Sequence, residues 1–203
     1  MLPKLLLATN NAGKLREYRV LLEGIPYELV TPQDIGIKLD VDETGATYEA
    51  NAKIKATTLM HASGLITLGD DSGLEVDALY GEPGIHSARY AGLNATDDDR
   101  IHYLLNKLKE VPFEKRTARF VCSIVIAESS GEVHLCEGIC YGIIPLEPKG
   151  KYGHGYDPVF YVPELGKTMA ELPMEIKNRI SHRGKAARKA REILMEISGR
   201  GKL

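Results

Sequence analysis

Three groups of polar residues in this 203-residue chain have the types and order needed for phosphate and metal chemistry. The first follows the apolar run Leu5-Leu6-Leu7-Ala8, which empties into Thr9-Asn10-Asn11-Ala12-Gly13-Lys14 ahead of a helical pattern. A strand that ends in a small polar turn and feeds a helix presents backbone N–H groups at the helix N-terminus, where the dipole favours an anion. Thr9 and Asn11 add neutral donors there, and Lys14 adds a mobile positive charge. Taken alone, the segment reads first as an ordinary strand-to-helix turn capped by Asn. It is not a Walker loop, because the glycines and the Ser or Thr after the lysine are missing.

The second group is acidic. Asp70 and Asp71 end an apolar strand over residues 65–68, and neighbouring side chains on a strand point to opposite faces, so only one of the two can aim into a given cleft. Asp71 is assigned to the cleft because Ser72 and Gly73 are expected to break the strand. Asp70 is left to brace the loop or to act through water. Glu43, in Asp40-Val41-Asp42-Glu43-Thr44-Gly45, is the second carboxylate. Hard oxygen ligands of this kind suit Mg²⁺, which keeps waters and shares its coordination with substrate phosphates. The structural alternatives are a solvated acidic loop for Glu43 and an Asx-bonded turn for Asp70-Asp71-Ser72-Gly73.

The third group is basic and lies near the end of the chain: Lys177, Arg179, His182, Arg183, Lys185, Arg188, Lys189 and Arg191. Most such runs are solvated helix faces or bind nucleic acid nonspecifically. Ser181-His182-Arg183-Gly184, however, stands at the start of the last predicted helix, where backbone donors, an imidazole and a guanidinium could converge on one anion. Upstream, Gly153-His154-Gly155-Tyr156-Asp157-Pro158 combines glycines that allow close approach, two flat side chains, and a carboxylate that accepts from a base or sugar.

Periodicity predicts the elements that carry these groups. A helical stripe around Leu15, Val20, Leu21 and Leu22 closes near Gly24 and Pro26, and a strand covers 27–30. A long helix over 47–63 has Thr47 as its cap and Gly64 as its end. A strand at 65–68 and a separate one at 74–79 follow, then an amphipathic helix over 97–109 with Ile101, Leu104, Leu105 and Leu108 on one face. Runs at 117–127 and 133–144 form a hairpin, and 181–197 is helical. Helices and strands alternate first and strands pair later, which predicts a mixed α/β sheet with a cleft between lobes.

The absence of repeats and linkers predicts one domain over 1–203. The net charge of -2 offers no broad field for nucleic acid or membrane. No apolar run reaches membrane-spanning or signal-peptide length, so a soluble cytoplasmic protein is expected. Cys122, Cys136 and Cys140 lack CxxC spacing and read as reduced core residues.

Taken in order, the motifs resemble the Ham1-type inosine triphosphate pyrophosphatase family over nearly the full length. They run from Thr9-Asn10-Asn11-Ala12-Gly13-Lys14 through Glu43-Thr44-Gly45, Asp70-Asp71-Ser72-Gly73-Leu74 and Pro83-Gly84-Ile85-His86-Ser87-Ala88-Arg89-Tyr90 to Gly155-Tyr156-Asp157-Pro158 and Ser181-His182-Arg183. The resemblance implies an elongated mixed central sheet flanked by helices, two lobes with the active site in the cleft between them, and a homodimer. It implies Mg²⁺-dependent hydrolysis of ITP, dITP and XTP to the monophosphate and pyrophosphate.

On this resemblance Thr9, Asn10, Asn11, Ala12, Gly13 and Lys14 hold the triphosphate, and Glu43 and Asp71 bind the metal. Asp71 also accepts the proton of water, Ser72 lies beside it on substrate, and Lys55 reaches the phosphates. His154, Gly155, Tyr156 and Asp157, with Lys177, His182 and Arg183, enclose the base and its 6-oxo group. One departure stands out: many relatives carry Phe where this chain has His154, which offers a smaller apolar face and a charge that varies with pH. The alternatives are a nucleic-acid-binding protein using the C-terminal basic helix, or a Maf-like pyrophosphatase for other modified nucleotides.

Overall fold

In β1 (Lys4–Leu7) three successive leucines, Leu5, Leu6 and Leu7, are buried, as expected of a parallel strand covered on both faces. The computed structural model describes residues 1–200. Helix α1 (Ala12–Leu21) connects β1 to its parallel neighbour β2 (Glu28–Val30), and α2 (Tyr48–Ser63) leads to β3 (Ile66–Val76), which runs parallel to β1 on its other side. Then come α3 (Asp97–Lys107), β4 (Thr117–Ala127), β5 (Val133–Ile143), β6 (Tyr161–Val162), β7 (Lys167–Thr168), α4 (Met174–Ile180) and α5 (His182–Arg200). The strands form one seven-stranded mixed sheet in the order β2-β1-β3-β4-β5-β6-β7. This is the helix-flanked α/β sheet that the alternation of elements predicts. Among the described residues no helix is long and apolar enough to cross a membrane.

The chain divides into two compact units, neither continuous in sequence. Unit 1 takes residues 1–71, 122–138 and 183 onward; unit 2 takes 72–121 and 139–182. In unit 1 alternate residues of β1 serve different layers, as strand geometry requires. Leu5 and Leu7 join Tyr18 and Leu22 from the α1 side and Ala186, Ala190 and Leu194 of α5. Leu6 joins Val30 and Leu59 of α2. The core of unit 2 gathers Leu74 and Val76 of β3, Leu104 and Leu108, Phe120, Phe160 and Met169.

Local expectations held where caps and periodicity agree. Thr47 caps α2 by accepting from the Ala50 N–H at 3.1 Å, and Gly64 ends the helix at φ 70°. Two expectations failed here: β3 does not break at Ser72 and Gly73 but runs unbroken to Val76, and Asp77–Leu79, expected to end a strand, form a 3₁₀ turn. Ser72 and Gly73 lie within a strand flanked by β1 and β4, where ladder pairing outweighs the turn preference of Asp-Ser-Gly. Helix α4 and the two-residue strands β6 and β7 carry too few residues to show a period and had not been anticipated.

Candidate functional site

In unit 1 the chain leaves β1 at Leu7, turns through Thr9 and Asn10, and enters α1 at its cap, Asn11. The Asn11 side chain accepts from the Lys14 N–H at 3.0 Å, and Thr9 Oγ1 accepts from the Asn11 N–H at 3.1 Å. The Asn-capped turn is therefore real, and it places Asn10, Asn11 and Ala12 exposed at the anion-favouring end of a helix. Gly13 is buried, and Lys14 is half-buried with its side chain turned toward β3.

Asp70 and Asp71 do face opposite ways on β3, and each meets a different helix pair or loop. Asp70 is turned to α1 and α5. Its Oδ2 accepts from the Tyr18 hydroxyl at 2.5 Å and from Arg183 Nε at 2.8 Å, and its Oδ1 pairs with Lys14 Nζ. Arg183 Nη1 in turn donates to Glu17 Oε2 at 2.7 Å. Burial works to raise the Asp70 carboxyl, but Arg183 and Lys14 outweigh it and hold the group well below the usual carboxylate range.

Asp71 is turned to α2. Asn51 Nδ2 donates to its Oδ2 at 3.2 Å, and Lys55 Nζ lies 3.5 Å from its Oδ1 and 2.8 Å from Glu43 Oε1. Asn51 also accepts from the Gly45 N–H at 2.8 Å, so one amide ties the acidic loop to β3. The close approach of α2 depends on Gly69, where a Cβ would stand 2.4 Å from the Ala52 carbonyl oxygen. Burial, the largest influence, pushes the Asp71 carboxyl up; Lys55 and Lys14 pull it down, and Glu43 pushes it up again. Net elevation makes Asp71 a better proton acceptor than an exposed aspartate. Glu43 and Asp71 reach the same ammonium group, so one cation contacts an oxygen of each. That donor set fits Mg²⁺.

In unit 2 the loop 153–157 is tightly built. Gly153 and Gly155 have φ of 79° and 64°, conformations that side chains rarely adopt, and a Cβ on Gly153 would collide with the Asp157 carboxylate. Asp157 Oδ2 accepts from the His154 N–H at 2.8 Å and from Lys177 Nζ at 2.5 Å. Asp97 Oδ2 accepts from the Gly155 N–H at 2.6 Å. The buried Tyr156 donates its hydroxyl to the Ser87 carbonyl at 2.9 Å, and burial first of all raises that phenol. The His182 ring stacks on Phe120, centroids 4.6 Å apart, and Ser72 is half-buried on β3.

Unit 1 thus brings together Thr9 to Lys14, Glu43, Lys55, Asp71 and Arg183, while unit 2 brings together His154, Gly155, Tyr156, Asp157 and Lys177. The basic run does not act as one surface: Arg183 is buried on two carboxylates, whereas Arg188 and Lys189 are exposed. Sequence reasoning missed Glu17, Tyr18, Asn51, Asp97 and Phe120. Only Asn51 left a signal, since it precedes Lys55 by one helical turn and so shares its face.

The chain matches the Ham1 family model over residues 5–193. It is 51% identical over 194 residues to a dITP/XTP pyrophosphatase of Desulforamulus reducens, covering 96% of each chain. It is 48% identical over 183 residues to a dITP/XTP pyrophosphatase of Geobacter sulfurreducens, covering 90% of this chain and 92% of that one. Among solved structures, a HAM1 protein from Coxiella burnetii aligns with a TM-score of 0.87 at 41% identity, covering 96% of this chain and 99% of that one. The Staphylococcus aureus Ham1 protein aligns with a TM-score of 0.84 at 42% identity, covering 94% and 97%.

Proposed function

The chain belongs to the Ham1 family, and we propose that it hydrolyses the deaminated purine nucleotides ITP, dITP and XTP to the monophosphate and pyrophosphate, removing them from the nucleotide pool. The observation that carries this reading is the convergence of Glu43 and Asp71 on Lys55, in the same unit as the Thr9 to Lys14 turn. Two carboxylates, two lysines and a helix N-terminus are the parts that phosphoanhydride cleavage requires.

In this reading Thr9, Asn10, Asn11, Ala12 and Gly13 present the turn to the triphosphate, and Lys14 and Lys55 balance the charge on its oxygens. Asp71 orients a water molecule and takes its proton as the water oxygen bonds to the α-phosphorus. The bond to the bridging oxygen breaks, and pyrophosphate leaves. Glu43 and Asp71 would hold Mg²⁺, which when bound draws charge from the phosphate oxygens. Ser72 lies next to Asp71 in the chain and takes a substrate contact.

In the same reading His154, Gly155, Tyr156 and Asp157 enclose the base together with Lys177, His182 and Arg183. A 6-oxo group accepts from such donors, whereas the 6-amino group of adenine would leave them unpaired. The family resemblance supports a cytoplasmic homodimer of single-domain chains, with neither nucleic acid nor membrane as partner.

A panel of nucleoside triphosphates assayed for pyrophosphate, with and without Mg²⁺, tests the reading. Metal-dependent release from ITP, dITP and XTP well above that from ATP is expected. Salt-sensitive oligonucleotide binding without pyrophosphate release would overturn it in favour of a nucleic-acid-binding protein. Preference for other modified nucleotides would favour the Maf-like alternative.

A further inference from the structure

Asp70 has no part in the proposed chemistry, yet it is more elaborately held than Asp71. Its side chain is 1% exposed, and its two oxygens do different work. Oδ2 receives Tyr18 and Arg183 from the interior, with Cys122 Sγ a further 3.6 Å neighbour. Oδ1 meets Lys14 Nζ, which also lies 3.4 Å from the Asp70 carbonyl oxygen. If the role of Asp70 were only to neutralise Arg183, Glu17 would share that task and Oδ1 would have no reason to reach a half-buried lysine in the first turn of α1.

We propose that Asp70 is a positioning residue for Lys14: Tyr18 and Arg183 fix the carboxylate, and the carboxylate holds the lysine head in place for the phosphates. This rests on the reading of Thr9 to Lys14 as the triphosphate turn. A free lysine surrenders its side-chain rotamer freedom when it grips a ligand. One already held by a rigid, buried acceptor gives up that freedom before substrate arrives, which is the general advantage of preorganisation. The ammonium has three donors, so it can keep Asp70 while turning another hydrogen to a phosphate oxygen.

The test is a double-mutant cycle in the full chain, read by calorimetric binding of inorganic tripolyphosphate and by kcat and KM for ITP. Thermal melts of every variant accompany it. Lys14→Ala should weaken tripolyphosphate about tenfold or more, the scale of a lost charge-assisted contact. Asp70→Asn should weaken it several-fold in the native background and raise KM for ITP more than it lowers kcat. In the Lys14→Ala background it should have almost no further effect, the signature of two residues acting as one.

An Asp70→Asn loss of equal size in both backgrounds would overturn the proposal, because the residue would then act independently of Lys14. Tighter binding by Asp70→Asn would also overturn it, by showing that the carboxylate restrains the lysine rather than presenting it. Unchanged binding by Lys14→Ala would overturn the underlying reading of the turn instead. Should Asp70→Asn show no cooperative melt, Tyr18→Phe removes a single donor from Oδ2 and replaces it in the cycle. A loss that disappears when Lys14 is Ala is again expected, and either no loss or an equal loss in both backgrounds overturns the proposal.

Discussion

Two neighbouring aspartates on one strand, Asp70 and Asp71, are driven to opposite charge behaviour by what α1, α5 and α2 place beside them. Asp71→Asn keeps shape and the Asn51 contact but removes the proposed proton acceptor. It should therefore lower kcat for ITP by about 10²–10⁴-fold, the usual range for a general base, while nucleotide binding stays measurable. Pyrophosphate release at near-native rates would remove Asp71 from the mechanism. Arg183 combines a proposed contact with the base and a buried pairing to Glu17 and Asp70. Truncation removes the guanidinium that Glu17 and Asp70 share in the interior, so Arg183→Ala should lower the unfolding free energy by about 3–5 kcal/mol. If Arg183 also serves the 6-oxo group, the ITP-to-ATP ratio of kcat/KM should fall as well; equal proportional losses would confine its effect to the core. Residue order alone showed that Asp70 and Asp71 face apart, because that follows from strand alternation. The identity of their partners was not legible, since Glu17, Tyr18 and Arg183 meet only after β1, α1 and α5 have packed.

At the scale of elements, α2 presents both Asn51 and Lys55 to Asp71, and its distance from β3 is set where Gly69 faces Ala52 and Ala56. A methyl group at 69 would press on helix backbone, not on the flexible end of a side chain. Gly69→Ala should therefore cost about 1–3 kcal/mol, as overpacking of a tight core does, and, on the proposal that Asp71 and Glu43 hold Mg²⁺, should raise the Mg²⁺ concentration needed for half-maximal turnover by displacing Lys55 and Asn51 together. A melt and a metal titration check the two halves, and native behaviour in both would mean that α2 tolerates the shift. The limits of α2 were readable from Thr47 and Gly64 because caps act locally. The continuity of β3 was not, because Ser72 and Gly73 read as a turn until neighbouring strands supply their hydrogen-bonding partners. Strands as short as β6 and β7 exist only through that pairing.

For the molecule as a whole, stability in acid should trace to the depressed carboxyl of Asp70. A group whose folded value lies below its unfolded value stabilises fully above the unfolded value, near 3.9 for Asp, and loses that contribution as pH falls through the folded value. The difference in urea midpoint between the native chain and Asp70→Asn should thus hold steady from neutral pH to about pH 5 and shrink below about pH 4. A difference that widens toward acid would assign the stabilisation to another group. Each unit is assembled from separated stretches of chain, and all three cysteines are buried thiols within them: Cys122 and Cys136 in unit 1, Cys140 in unit 2. Burial raises the Cys122 thiol well above its ordinary value and brings Cys136 up to about 11. A thiol that is both hidden and protonated reacts only when its surroundings open. The chain therefore carries its own clocks: the rates at which an aromatic disulfide labels Cys122 and Cys136 on one side and Cys140 on the other time the breathing of each half separately, with no reporter group added.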